Sequence, residues 1–272
     1  MPIRMNAITN DSQNPELLAN LVQVELQQRV KEAFATPDKA YFVCRSDMID
    51  SITGEPFGHY VFTLHSDQEK RVNEILDIDI TLDNPVPTSL SFLNMLPGSS
   101  DSNEYYNAET EDGSRLQIET VGRYTVEGTL AGTTREVSVS VFPFQLTVFD
   151  NMRAFNVFAG FEKPIQVGGT DYKVDGMSPT FMSPGGVFSA NQSDEAYTFM
   201  LGTVESYHDV QVDLGEKKLD FVLAQVSTAL GVVPVAMGRD VFDLSNLREG
   251  CVLAMNADVK ADLAKESDYR QG

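Results

Sequence analysis

The chain has 272 residues, 42% of them hydrophobic, which excludes disorder throughout and leaves room for one large domain or two ordinary ones. Twenty Lys and Arg stand against 40 Asp and Glu, a formal charge of -20 whose field repels phosphate backbones and anionic lipid and favours cationic partners. The opening Met1-Pro2-Ile3-Arg4-Met5-Asn6 shows no basic-then-apolar leader and no apolar run reaches membrane-spanning length, so cytoplasm is the expected compartment, without membrane contact.

In chain order, Asn14-Pro15-Glu16 carries a helix-start signature: a capping Asn, Pro in the first turn, and an acid facing the helix dipole. Leu17, Leu21, Val24, Leu26, Val30, Ala33 and Phe34 then form an apolar stripe, so a helix packed on the body is expected up to Thr36-Pro37. A partner-binding or dimer helix is the alternative. Ala40 to Cys44 and His59 to Leu64 read as strands joined by a turn region with Thr53-Gly54-Glu55-Pro56 at its tip. Ser66-Asp67-Gln68-Glu69 is an S-x-x-E capping box, which predicts a short helix over Lys70 to Leu76.

Nine acids then fall between Arg71 and Arg115 with no Lys or Arg among them. Leu76 to Leu82 alternates as a strand with Asp77 and Asp79 expected toward solvent, and Pro97 to Gly113 reads as an exposed loop. The acids in Asp101 to Asp112 miss the fixed positions of a calcium-binding loop. Arg115 to Val126 and Thr134 to Val148 are strand-rich. Glu136 to Val141 alternates most cleanly, with Val inward, and the register shifts at Pro143, which marks an edge strand or bulge. Phe149 to Phe161 is apolar, with Phe155, Phe158 and Phe161 three apart, and is assigned as a core connector. Gly168-Gly169 and Gly185-Gly186 read as turns. The sequence contains no detectable internal repeat.

The last quarter offers Ala196 to Val204, Asp209 to Leu214, Leu219 to Val226, Val232 to Met237 and Cys251 to Val259 as short strands separated by turn residues. Gly202 in the first of them suggests a bend. With the G-x-V of Gly202-Thr203-Val204 and the entry Leu247-Arg248-Glu249-Gly250, this order resembles a five-stranded OB-like barrel over about 195–265. An ordinary β-sandwich end satisfies the same spacing. The resemblance implies a binding face on the middle strands, and the candidate binding residues are Tyr197, Phe199, Tyr207 and His208, aromatic groups able to stack on bases or sugars. Alternation would equally bury Tyr197 and Phe199.

Chemical signatures are sparse. Cys44 and Cys251 lie far apart in apolar contexts and read as buried free thiols without zinc-ligand spacing. His59 and His65 share one strand face about 20 Å apart, too far to hold one ion. His208 adjoins Asp209 without a nucleophile motif nearby. No catalytic residue, metal ligand or cofactor is assigned. The expected architecture is mainly β (α+β overall): a tail and amphipathic helix over 1–36, a mixed α+β and β-rich domain over 37–150, and a β-rich domain over 151–272. The expected function is a non-enzymatic cytoplasmic protein-interaction or structural module with protein partners. The alternatives are a metal-dependent hydrolase using acidic residues, and an OB-type binder of single-stranded nucleic acid or oligosaccharide.

Overall fold

A computed structural model describes residues 7–9, 15–23, 25, 32–35, 41–66, 72–97, 104–121, 129–161, 163, 165–167, 170–172, 176–185, 197–214 and 217–263. The fold is mainly β. After a short helix α1 (Pro15–Asn20), strands β1 (Glu32–Ala35), β2 (Tyr41–Ile49), β3 (Pro56–Ser66) and β4 (Val72–Leu82) form an antiparallel sheet in that order. Then come β5 (Thr88–Met95), β6 (Glu104–Thr110), β7 (Arg115–Val121) and the 17-residue β8 (Thr133–Phe149). Helix α2 (Met152–Phe158) and the short strands β9 (Ile165–Val167), β10 (Thr170–Tyr172) and β11 (Met182–Pro184) follow. The chain closes with β12 (Thr198–Leu214), β13 (Lys217–Thr228), β14 (Gly231–Gly238) and β15 (Val252–Asp262).

Strands β8 and β15 form an antiparallel ribbon from Ser138 opposite Asp262 to Phe149 opposite Val252. Around one end, β5 pairs with β8, and β7 lies parallel to β15, so β5, β6, β7, β15 and β8 close a ring. Around the other, β12 pairs with β15 and β14 lies parallel to β8 at Val235 and Val141, so β12, β13, β14, β8 and β15 close a second ring. Each half of the chain is thus a three-stranded meander followed by a long strand, and each meander closes on the other half's long strand. This is a repeat in topology that the sequence does not display. The second ring extends beyond residues 195–265, because its fifth strand is β8.

One buried cluster fills both rings, drawing on Leu90, Phe92, Tyr106 and Ile118 from the first meander and on Met200, Val222, Val226 and Val235 from the second. It therefore runs across position 150. Along the ribbon, Val137, Val139, Val141, Leu253, Met255, Ala257, Val259 and Ala261 point into it, as the alternation of Glu136 to Val141 predicts. The shift at Pro143 is a β-bulge: Pro143 faces Ala257 and Gln145 faces Asn256, which leaves Phe144 as the extra residue. Both edges of β8 are nevertheless paired, so it is a bulged interior strand.

Several local expectations give way to pairing. Of the helix expected up to Phe34, Pro15–Asn20 is helical with a π-type turn after it, residues 24 and 26–31 lie outside those described, and Glu32–Ala35 pairs with Arg45–Phe42 as a strand. Of the helix expected after the capping box, residues 67–71 lie outside those described, and from Val72 the chain is β4. Its opening joins β3 through two register shifts, between Thr63 and Leu64 and between His65 and Ser66. The expected loop 97–113 contains β6, which buries Tyr105, Tyr106 and Ala108. The strands expected over 196–204 and 209–214 are the single strand β12, kinked by a register shift between Val204 and Ser206. A Cβ on Gly202 would stand 2.4 Å from Val226 Cγ1, so close passage of β13 requires glycine there.

The largest correction concerns Asp77 and Asp79. The alternation of β4 holds, with Ile78, Ile80 and Leu82 in a second buried cluster with Phe57, Val212 and Phe221. The opposite face does not meet water: Asp77, Asp79 and Thr81 are also buried, because that face lies against the ribbon. Lys260 Nζ, fully buried, donates to Asp79 Oδ1 at 2.5 Å and lies 5.4 Å from the Phe142 ring centroid. Arg45 donates to Asp262 at 2.5 Å, and Ser140 Oγ accepts from the Leu82 amide at 2.8 Å. At the far edge Asp50 caps the β2–β3 turn, accepting from Ile52 N, Thr53 Oγ1 and Gln211 N. Desolvation pushes its carboxyl up, but those hydrogen bonds more than offset it and hold it below the usual carboxylate value. Cys44 and Cys251 are buried and free, and burial raises the Cys44 thiol to about 11.

Removing one partner of a buried pair strands the other charge, so Lys260→Met alone is expected to cost roughly 3–5 kcal/mol, whereas replacing both partners with apolar groups is often near neutral. Urea unfolding of Lys260→Met, Asp79→Leu and the double variant checks this: the double variant should recover more than half of the single-variant loss.

Candidate functional site

The outer face of the ribbon changes character at the Phe144 bulge. On one side Ser140, Phe142, Lys260 and Asp262 lie under the four-stranded sheet. On the other, Gln145, Thr147, Phe149, Ala254 and Asn256 form the floor of a cavity of about 420 Å³. Its walls come from α2 (Phe155, Phe158, Ala159), the following Phe161, the segment at Met177, Pro184 and Gly185, and Tyr197 and Phe199 at the start of β12.

Local chemistry fixes each wall. The Asn151 side chain caps α2 by accepting from the Ala154 amide at 3.0 Å. Phe155 then packs edge-on to Phe149, with centroids 5.4 Å apart, and Phe158 lies 5.3 Å from Phe149 on the outside. Asn156 Oδ1 accepts from the Met177 amide at 3.3 Å, beside Gly176, whose φ of 87° favours glycine. The entry to β12 is pinned to β7: the Tyr197 amide donates to Gln117 Oε1 at 3.2 Å, and Thr198 Oγ1 donates to the Gln117 carbonyl at 2.8 Å. Tyr197 meets Phe144 edge-on at 5.4 Å, and Phe181 lies 6.2 Å from Phe199.

The cavity is therefore aromatic and aliphatic with a small polar floor, the composition of sites that bind an apolar group and orient it through a few hydrogen bonds. On that floor Asn256 Nδ2 donates to Gln145 Oε1 at 2.7 Å. The wall is apolar on its outer side as well: Phe158 is 76% exposed, and Val157 and Phe144 are also exposed.

Of the four residues singled out from sequence, the structure brings Tyr197 and Phe199 into this cavity, both half-buried. Tyr207 and His208 lie not in a loop but mid-strand in β12, opposite Ala224 and Leu223, exposed and roughly 25 Å further along at the usual rise. The Phe149 to Phe161 stretch, read as a core connector, supplies much of the wall. The signal was present: Phe155, Phe158 and Phe161 at intervals of three share a helical face, but only Phe155 of α2 is buried.

Among the described residues, no group of three His, Cys, Asp or Glu is placed to hold a metal ion. No helix among them is long and apolar enough to cross a membrane. No protein-family model, curated protein or solved structure matches the chain.

His59 on β3 lies between two carboxylates. Its Nε2 lies 3.3 Å from Asp83 and its Nδ1 3.4 Å from Asp47. The Asp83 carboxylate raises its pKa above 6.5, against desolvation and the nearby Arg45, with Asp262 adding to the rise. A raised folded-state value means stabilisation is fully present below the unfolded value and is lost as pH rises through the folded one. Wild type should exceed His59→Gln in stability by more at pH about 5.5 than at pH about 8, where an unperturbed histidine is neutral. Paired urea titrations at the two pH values check the sign.

Proposed function

We propose that the protein is a non-enzymatic interaction module that receives an apolar group of a partner polypeptide in the cleft between α2 and the β8–β15 ribbon. The observation that carries this reading is the contrast between the two halves of the ribbon's outer face. One half is roofed by an entire sheet, and the other is left as an aromatic cavity with exposed Phe158, Val157 and Phe144 at its rim. Contiguous exposed apolar surface rimmed by polar residues marks contact sites. Two of the buried acids, Asp79 and Asp262, are engaged by Lys260 and Arg45, which supports a binding module over a hydrolase.

An OB-like reading of the second ring is supported by its order, a meander whose third strand lies parallel to the closing strand. The charge of -20 turns that reading away from nucleic acid. Two buried free thiols suit a reducing compartment, and cytoplasm is the compartment proposed.

A displayed library of random twelve-residue peptides, panned on the wild-type protein and counter-selected on Phe158→Ser, tests the reading. Recovered peptides should bind wild type at least about tenfold better than the variant, the worth of roughly 1.4 kcal/mol of lost apolar contact. Recovery only of peptides that bind both proteins equally would overturn it.

A further inference from the structure

We infer that the cleft selects a polypeptide segment with one aromatic or aliphatic anchor flanked by Lys or Arg, an inference that rests on the interaction reading above. The anchor follows from the cavity. Phe149, Phe155, Phe161 and Phe199 surround about 420 Å³, room for one large side chain with its backbone at the mouth. The floor adds directional contacts: the Gln145–Asn256 bond uses one amide donor and one acceptor, and the side-chain amides retain further donor and acceptor capacity. A small ligand confined to the cavity would leave Val157 and the outer side of Phe158 in water, whereas a chain crossing the mouth covers them. The exposed rim therefore favours a polypeptide.

The flanks follow from charge. Any approaching segment meets a protein with 20 more acids than Lys and Arg, which steers cations toward it and slows anions. Locally, the Arg248 charge is answered by Asp150 at 2.7 Å at the end of β8. The floor row of β15 runs on from Asn256 to half-buried Asp258, about 7 Å further along the same face. The exposed Phe158 ring also offers a π face to an ammonium or guanidinium group. An anchor flanked by acids gains none of these contacts.

The test uses the full chain and four synthetic nine-residue peptides, titrated by amide NMR. Three carry a central Phe flanked on each side by two Lys, two Ser or two Glu, and the fourth has Lys flanks and a central Ala. At about 0.01 M salt, where the screening length is about 30 Å, the Lys-flanked Phe peptide should bind at least about tenfold tighter than the Glu-flanked one, and at about 1 M salt, with a length of about 3 Å, the gap should close. Replacing Phe by Ala should cost about tenfold or more. Two variants at solvent-exposed positions, each checked for an unchanged amide spectrum, localise the effect: Phe158→Ser should weaken every Phe peptide, and Thr147→Arg should weaken the Lys-flanked one most. Equal affinity for Lys and Glu flanks at low salt overturns the inference, as does indifference to the central residue. Indole binding as tightly as the Phe peptide also overturns it, marking a small-molecule pocket. If library panning yields cleft-dependent binders without basic flanks, the interaction reading stands and this selectivity falls. If it yields none, both fall.

Discussion

The antiparallel pairing of β8 with β15 is the constraint on which the remaining structure depends. Eleven positions of β15, from Val252 to Asp262 with a bulge opposite them, hold a strand more than a hundred residues away in sequence, and neither ring closes without it. Because each meander ends on the long strand of the other half, neither half can bury its apolar face alone. Leu90 and Phe92 share one cluster with Met200 and Val235 for that reason. Such topology spends loop-closure entropy before the contacts that repay it form, which slows folding, but it makes the two rings one cooperative unit. A lost methyl in either meander is then felt in the common core.

The same ribbon explains why charge is buried in so acidic a protein. Its inner face is filled by Val, Leu, Met and Ala, so the charged residues at alternate positions of β15 must all appear on the outer face. Near the C-terminal end that face is covered by the four-stranded sheet, and Lys260 and Asp262 are sealed in with it. Asp79 and Arg45 answer them across the interface, and Ser140 and Leu82 exchange hydrogen bonds alongside. Such pairs add little net stability compared with apolar packing. Their consequence is register: sliding β4 by one residue would bring Ile78 or Ile80 opposite Lys260 and break its pair with Asp79. Asp50 performs a similar service at the sheet's other edge, tying the β2–β3 turn to Gln211 of β12.

Strands are legible in sequence where period-two alternation meets turn residues, as at Glu136–Val141 in β8 and Val210–Leu214 in β12. Pro143 correctly announced the bulge. Local signals failed where long-range pairing outweighed them. Ala33 and Phe34 continue a helical stripe in sequence yet pair with Cys44 and Val43, and the S-x-x-E box precedes a strand. Asp77 and Asp79 misled because alternation reports two faces without saying what covers each, and their cover comes from residues about 180 positions away. Tyr197 and Phe199 were singled out as ring-face residues and line the cavity, but Tyr207 and His208 were read as a loop because the bulge at Glu205 breaks the pattern of β12. The four phenylalanines from Phe149 to Phe161 read as core because sequence cannot show that α2, which bears Phe155 and Phe158, stays on the surface.

The cleft owes its shape to rigid neighbours more than to the aromatics themselves. Its floor is the ribbon, the most interior pair of strands in the fold, and its helix is fixed at one end by the Asn151 cap and at its middle by Asn156 gripping the Met177 amide. Phe149 packs edge-on or tilted against two of the helix's rings and so ties the wall directly to the floor. Ordering side chains on binding costs about 0.5–1.5 kcal/mol for each rotamer-rich group, and a wall already packed avoids most of that penalty. A phenyl ring on a mobile loop would have to give back much of what its burial contributes. Placed on a capped helix over a ribbon paired on both sides of its bulge, the same ring presents its surface in one arrangement, and the open half of the ribbon becomes a preformed receptor while the covered half holds the protein together.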